Sequence, residues 1–194
     1  MLKKPIVNLL LALVILSSTT LFAKEPGDKV DDFKLKNVDG KEYKLSDALN
    51  NSKYVVVMFW SVQCPFVQAY TDRINTLANE YTGKGITFWA VNANSTENKD
   101  EVKTHAEEKG YPFPMLKDVN NVVADMLGAT RTPEVFLINH DRTVVYHGRI
   151  DDNRDESKVT SSDLRNALDE VLAGKDVSVQ STKSFGCTIK RAGE

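Results

Sequence analysis

Apolar and polar positions follow two rhythms along this chain of 194 residues, and the rhythm changes at residue 64. Residues 54–60, YVVVMFW, form an unbroken apolar run rich in β-branched and aromatic side chains, which predicts a strand buried on both faces. After Pro65 the apolar positions fall at Phe66, Val67, Tyr70, Ile74, Leu77, Ala78 and Tyr81. That is helical spacing, with proline in its favoured first turn. Cys64 therefore stands where a buried strand ends and a helix begins.

The flanking pattern supplies the other elements. Phe33, Leu35, the Asp39-Gly40 turn, Tyr43 and Leu45 alternate as a hairpin. Ser46 or Asp47 is placed to cap a short helical turn after it. Gly83 and Gly85 bracket the exit from the long helix and suit a left-handed turn. Residues 86–91 read as a second buried strand, and residues 92–95 as a polar loop. Residues 97–109 carry few apolar positions, Val102 and Ala106, and predict a charged surface helix ending at Gly110. The stretch 111–114, YPFP, is extended because its prolines exclude helix. Asp118 opens a short helix that ends at Gly128. Residues 134–138 and 143–147 are two further strands joined by a polar turn. Residues 151–162 read as a loop, and residues 163–173 as an amphipathic helix closed by Gly174. The last twenty residues show no element.

Strand–helix–strand in the first half implies parallel pairing with a right-handed crossover. The closing hairpin adds antiparallel strands. The expected architecture is α/β, a mixed central sheet flanked by helices, with an N-terminal β-hairpin extension and an irregular C-terminal tail.

Charge narrows the partners. Lys3 and Lys4 precede an apolar run over residues 6–16, then small and polar residues up to Ala23, which is the pattern of a secretory signal peptide over residues 1–23. The run is short for a membrane span, and an uncleaved anchor is the alternative. Loss of residues 1–23 leaves 23 basic against 27 acidic residues, net −4. A mildly acidic chain without basic clusters offers no footing for nucleic acid, so its partners are small molecules or proteins. The expected localisation is exported, periplasmic or secreted.

There are two cysteines, Cys64 and Cys187, and export would place them where disulfides persist. His105, His140 and His147 are scattered. His105 and His140 read as solvated. No cluster has zinc spacing, and copper through Cys64 and a histidine lacks a second ligand nearby, so neither metal nor cofactor is expected. At Cys64 the free amides and dipole of the helix N-terminus favour thiolate over thiol. The alternative is a buried cap without chemistry, although Ser or Asp would cap better.

The run FWSVQCPFV resembles the FWA-x-W-C-P-x-C of exported thioredoxin-like proteins. RTPEVFLI resembles the segment where that fold carries a cis-proline facing the active cysteine. A closer resemblance is to the peroxiredoxin-like group of the alkyl hydroperoxide reductase/thiol-specific antioxidant (AhpC/TSA) superfamily. It rests on CPFVQAY at 64–70, PFP at 112–114, RTPEVFL at 131–137, GRIDD at 148–152 and FGCTIK at 185–190. The resemblance implies a thioredoxin-like redoxin domain over residues 24–174 and a tail, 175–194, carrying the second cysteine. It implies a thiol oxidoreductase with Cys64 as nucleophile, Ser61 assisting it, and Pro65, Thr132 and Pro133 meeting substrate, Pro133 as the cis-proline. Arg131, just before that loop, is a candidate for placing positive charge near Cys64 and lowering its pKa; a surface arginine is the alternative and the commoner fate. Val67 stands in place of the second cysteine of a thioredoxin, and Met58 in place of its buried acid. Ser61 serves for the Thr of a peroxiredoxin, and Val57 replaces its Pro.

Oxidised Cys64 needs a resolving thiol whether the substrate is a peroxide or a disulfide. Cys187 is the candidate within the chain, with an external thiol as final reductant. Residues 175–186 reach about 40 Å when extended, so the span permits a Cys64–Cys187 bond without requiring it. The competing reading is a non-catalytic binding module in which the two cysteines form a permanent staple of about 2–4 kcal/mol. The catalytic reading also requires a sulfur reachable from solvent. Trp60 is expected to anchor the core beneath Cys64. Arg149, Asp151 and Asp152 read as a solvated loop with local salt bridges.

Overall fold

The computed structural model describes residues 23–193. The expected signal peptide therefore lies outside the described residues, save Ala23. The described chain runs β1 (Lys34–Asn37), β2 (Glu42–Lys44), α1 (Leu45–Asn51), β3 (Tyr54–Phe59), α2 (Pro65–Thr82), β4 (Ile86–Asn92) and α3 (Lys99–Lys109). It continues with β5 (Met115–Lys117), α4 (Val122–Leu127), β6 (Arg131–Thr132), β7 (Glu134–Asn139), β8 (Val144–Gly148), α5 (Asp163–Leu172) and β9 (Cys187–Thr188).

The described residues form a mixed sheet in the order β2-β1-β5-β4-β3-β7-β8. β3 pairs parallel with β4 and antiparallel with β7, so it lies at the centre. Its period of two feeds two cores. Val56 and Met58 join α2, α3 and α5 on one face, while Val55, Val57 and Phe59 join α1 and α4 on the other. This is why the run is apolar throughout. Cys64 and Trp60 belong to the first core. Among the described residues no helix is long and apolar enough to cross a membrane.

The structure departs from the sequence reading at several ends of elements. Neither Ser46 nor Asp47 caps α1; the Asp32 carboxylate accepts from the Ser46 amide at 2.9 Å, a partner 14 residues away. Gly83 closes α2 in right-handed conformation, φ −68°, and only Gly85, φ +92°, needs the left-handed region. α3 begins at Lys99, with Asn98 accepting from the Glu101 amide, so Glu97 is not a helical residue. Asp118 does serve the next helix, accepting from the amides of Val123 and Ala124 at 3.0 and 2.8 Å.

The largest difference is the tail. β9 pairs antiparallel with β6, placing Thr132 opposite Cys187 and Arg131 opposite Thr188. Ser181 bridges His147 on β8, and Ile189 is fully buried in the α1–α4 core. A two-residue strand has no period of its own. What makes it a strand is a partner more than fifty residues away.

Candidate active site

Cys64 is the N-cap of α2, in extended conformation, φ −80° and ψ 118°. Its carbonyl accepts the amide of Gln68 at 3.1 Å, so α2 starts at Pro65, where the missing N–H costs nothing. The free amides of a helix N-terminus, and their partial positive charge, lie around the sulfur.

A disulfide joins Cys64 to Cys187 across 123 residues, with Cα atoms 5.9 Å apart. Cys64 is 1% exposed, whereas Cys187 is partly exposed. The sulfur expected to be reachable is thus covered in the oxidised protein: Cys64 belongs to the α2-side core, and Phe185 and Cys187 of the tail pack against that core. Cys64 Sγ also lies 3.2 Å from the Thr132 carbonyl oxygen, a contact in the disulfide that a thiol could turn into a weak hydrogen bond.

The Thr132–Pro133 peptide is cis, the isomer the resemblance implies. Both residues are buried, and Pro65 is exposed. Glu134, 4% exposed, holds the loop before them: one carboxylate oxygen accepts the amides of Thr130 and Arg131 at 2.8 Å each. Its other oxygen bonds Nε2 of His147 at 2.8 Å, and the His147 ring stacks on Phe136 at 4.3 Å. Against this loop the tail leaves no space. A Cβ on Gly186, φ +152°, would stand 2.1 Å from the Thr132 carbonyl oxygen, and φ there is one that L residues avoid.

The two assisting groups expected from the sequence point elsewhere. Ser61 is buried, and its hydroxyl donates to Glu97 Oε1 at 2.5 Å. Arg131 is exposed and donates to the Thr188 hydroxyl at 2.9 Å, so its guanidinium ties β6 to β9. Among the described residues neither hydrogen-bonds to Cys64. Trp60 is fully buried beneath the site, its indole N–H donating to the Tyr111 hydroxyl at 3.1 Å.

Glu97 is the group that sequence reasoning missed. It is 1% exposed and also accepts the amides of Val62 and Gln63 at 3.1 Å, and the side-chain amides of Asn94 at 3.1 Å and of Asn92. Burial pushes its carboxyl up, but the bonds from Ser61, Asn94, Asn92 and Val62 outweigh that and hold it below the ordinary range. It read as one more charge in a charged stretch. Its backbone-amide partners are 34 and 35 residues away, and no local pattern announces them.

Two smaller expectations are corrected. His105 is partly buried between Gln68 and the Tyr111 hydroxyl, 3.3 Å from each, and burial lowers its pKa. The 148–152 segment is not a solvated loop. Asp151 is 4% exposed, bonded to the Tyr70 hydroxyl at 2.9 Å and paired with Arg73, and Arg149 pairs with Asp163 at 2.7 Å. These contacts fasten the segment to α2 and α5. The surface reading holds for Asp152, which bonds Thr160 within its own loop, and fails for Asp151, whose partners Tyr70 and Arg73 lie on α2.

The family model described as "AhpC/TSA family" matches residues 26–147, which includes Cys64 and stops short of Cys187. Thiol-disulfide oxidoreductase ResA of Geobacillus thermodenitrificans (strain NG80-2) is 30% identical over 118 residues, 61% of this chain and 66% of its own length. The chain thus spans just under two-thirds of that curated relative. The crystal structure of a hypothetical protein from Sinorhizobium meliloti 1021 is similar at a TM-score of 0.83 and 36% identity, over 89% of this chain and 98% of that one. That of Peroxidoxin BcpB from Mycobacterium tuberculosis is similar at 0.57 and 25% identity, over 77% and 95%.

Proposed function

The chain belongs to the AhpC/TSA family, and from that premise we propose that it is a thiol oxidoreductase of the thiol–disulfide exchange type, with Cys64 as nucleophile and Cys187 as resolving thiol. The observation that carries the reading is the disulfide between the N-cap of α2 and a strand paired beside the cis-proline.

The Cys64 thiolate attacks one sulfur of a substrate disulfide, forming a mixed disulfide and releasing the other sulfur as thiolate. Cys187 thiolate then attacks Cys64 Sγ, and the substrate's second thiolate leaves. The substrate gains two electrons and the chain becomes the observed disulfide. A thiol reductant reopens it by attacking Cys187 Sγ, the more exposed sulfur, with Cys64 leaving as a thiolate favoured by its helix end. A second thiol of the reductant then attacks the resulting mixed disulfide, releasing Cys187 and leaving the reductant oxidised. β9 occupies the Thr132 edge in the oxidised chain, so Thr132 presents its backbone to an incoming strand only after reduction frees that pairing, with Pro133 fixing the edge and Pro65 at the rim.

Peroxide chemistry is the second outcome. There Cys64 becomes a sulfenic acid, the peroxide leaves as alcohol or water, and Cys187 condenses with the sulfenic acid to release water. It is placed second because the hydroxyl of Ser61 and the guanidinium of Arg131 are already engaged, with Glu97 and Thr188. The burial of Cys64 favours one rival, a permanent staple in a binding module. Export remains part of the proposal: the 1–23 pattern and a disulfide that persists in an oxidising compartment support a periplasmic or secreted protein.

Wild type and Cys64→Ser are assayed side by side with a protein disulfide and with hydrogen peroxide. Disulfide reduction that vanishes in the variant is expected. Activity on peroxide alone moves the reaction to the peroxidase, and no activity in wild type favours the staple.

A further inference from the structure

Glu97 is a buried charge that the two-sulfur chemistry leaves unused, and its contacts reach both cysteine segments. One arm is the set of donors directly before Cys64: Ser61 Oγ, Val62 N and Gln63 N. The other runs through Asn94. The Asn94 amide donates to Glu97 Oε1 at 3.1 Å, and its Oδ1 accepts the backbone N–H of Lys190 at 2.8 Å. Lys190 lies just past Cys187, and its carbonyl accepts the Ser95 amide at 2.9 Å. Lys117 Nζ, from β5, braces the loop by donating to Asn92 Oδ1 at 2.6 Å and to the carbonyls of Asn94 and Glu97 at 2.7 Å each. The short segment 92–97 is therefore bonded to the turn that presents one sulfur and to the chain just past the strand that presents the other.

We infer, taking Cys64 and Cys187 as the redox couple, that Glu97 is its positioning residue: it fixes the turn before Cys64 and, through Asn94, the strand beyond Cys187, and its charge opposes ionisation of reduced Cys64. Two physical consequences follow. A carboxylate bonded to the amide next to Cys64 disfavours a second negative charge on the sulfur. Ordering both segments before the bond closes raises the effective concentration of one sulfur at the other. The other charged and titratable groups around the cysteine turn include Lys117 behind Glu97, Glu101 on the Gln63 side-chain amide, His105 against Gln68 on α2, Arg154 over the Phe66 ring, and Arg131 on Thr188 across the sulfurs. Glu97→Gln leaves all of these in place, so a shift in that variant reads the carboxylate.

Two measurements on the full chain separate the arms. In a Cys187→Ser background, the pH dependence of Cys64 alkylation by iodoacetamide reports its ionisation with and without Glu97→Gln. The expected result is a midpoint lower by about one pH unit, a tenfold change in the thiol–thiolate ratio. With both cysteines present, equilibration against glutathione reports closure. Two electrons and two protons pass from the thiols to one oxidised glutathione, which leaves as two reduced molecules. Asn94→Ala removes the link from Glu97 to Lys190 without removing the charge, leaving the Ser95–Lys190 bond. It is expected to weaken closure about tenfold, the loss of one or two net hydrogen bonds.

A folded Glu97→Gln whose midpoint does not fall overturns the inference, as does an Asn94→Ala chain that closes as readily as wild type. If Glu97→Gln does not fold, the Asn94→Ala result decides alone. Neither readout uses turnover of a substrate, so a chain without oxidoreductase activity would still answer both.

Discussion

Cys64 has its helix end behind it and the Thr132 carbonyl before it, and both come from how two neighbours are held. Glu134 fixes the amides ahead of Thr132, and Glu97 fixes those ahead of Cys64. Removing the Glu97 charge leaves buried donors short of an acceptor, at a cost of about 1–3 kcal/mol. The pH dependence has a definite sign. The folded carboxyl titrates below its ordinary value of 4.5. Its contribution is therefore complete above that value and is lost as pH falls below it through the folded pKa. Thermal melts of wild type and Glu97→Gln should differ most at about pH 7, and the difference should narrow as pH falls below 4.5 through the folded pKa. A gap that widens on acidification contradicts this. Gly186 makes a second case. Ala there meets both the positive φ and the Thr132 carbonyl, so oxidised Gly186→Ala is expected to melt lower than oxidised wild type, by about 1–3 kcal/mol. Equal melting temperatures would show that the tail lies elsewhere. Cys64 and Cys187 were legible as single residues because cysteine is rare in this chain and one stands at a strand–helix junction. Glu97 was not, because a carboxylate among charges looks the same whether it faces water or a buried turn.

At the scale of elements, long periodic segments were legible and short paired ones were not. β3, α2, β4, β7 and α5 stand where the apolar rhythm put them, since each carries enough residues to show a period. β6 and β9 have two residues each and exist through their mutual pairing. The cap of α1 likewise comes from Asp32, outside the helix and its neighbours in sequence. The β6–β9 pair is also the element most directly tied to redox state, because the bonded Cys187 is one of its residues. Reduction should therefore raise amide exchange in residues 186–190 and 130–132 more than in β3 or β4, whose ladders lie at the sheet centre. Hydrogen exchange followed by mass spectrometry checks this. Equal protection in the oxidised and reduced protein would mean that the tail stays docked without its covalent tie.

For the molecule as a whole, the α/β mixed sheet and its flanking helices followed from the order of elements, and the family from motifs spread over the chain. Where the tail lies did not, because nothing in residues 175–194 repeats. That tail closes a loop of 123 residues, worth about 5 kcal/mol in lost freedom of the unfolded chain. Cys187→Ser should then melt on the order of 10 °C below the oxidised wild type. An unchanged melting temperature would mean the bond contributes nothing to the fold. Stability alone, however, is common to a staple and a working couple. The reduction potential of the Cys64–Cys187 bond separates them most directly, read by mass spectrometry after equilibration in thiol–disulfide buffers. A couple that turns over is predicted to lie above about −300 mV, and a value well below that would contradict it.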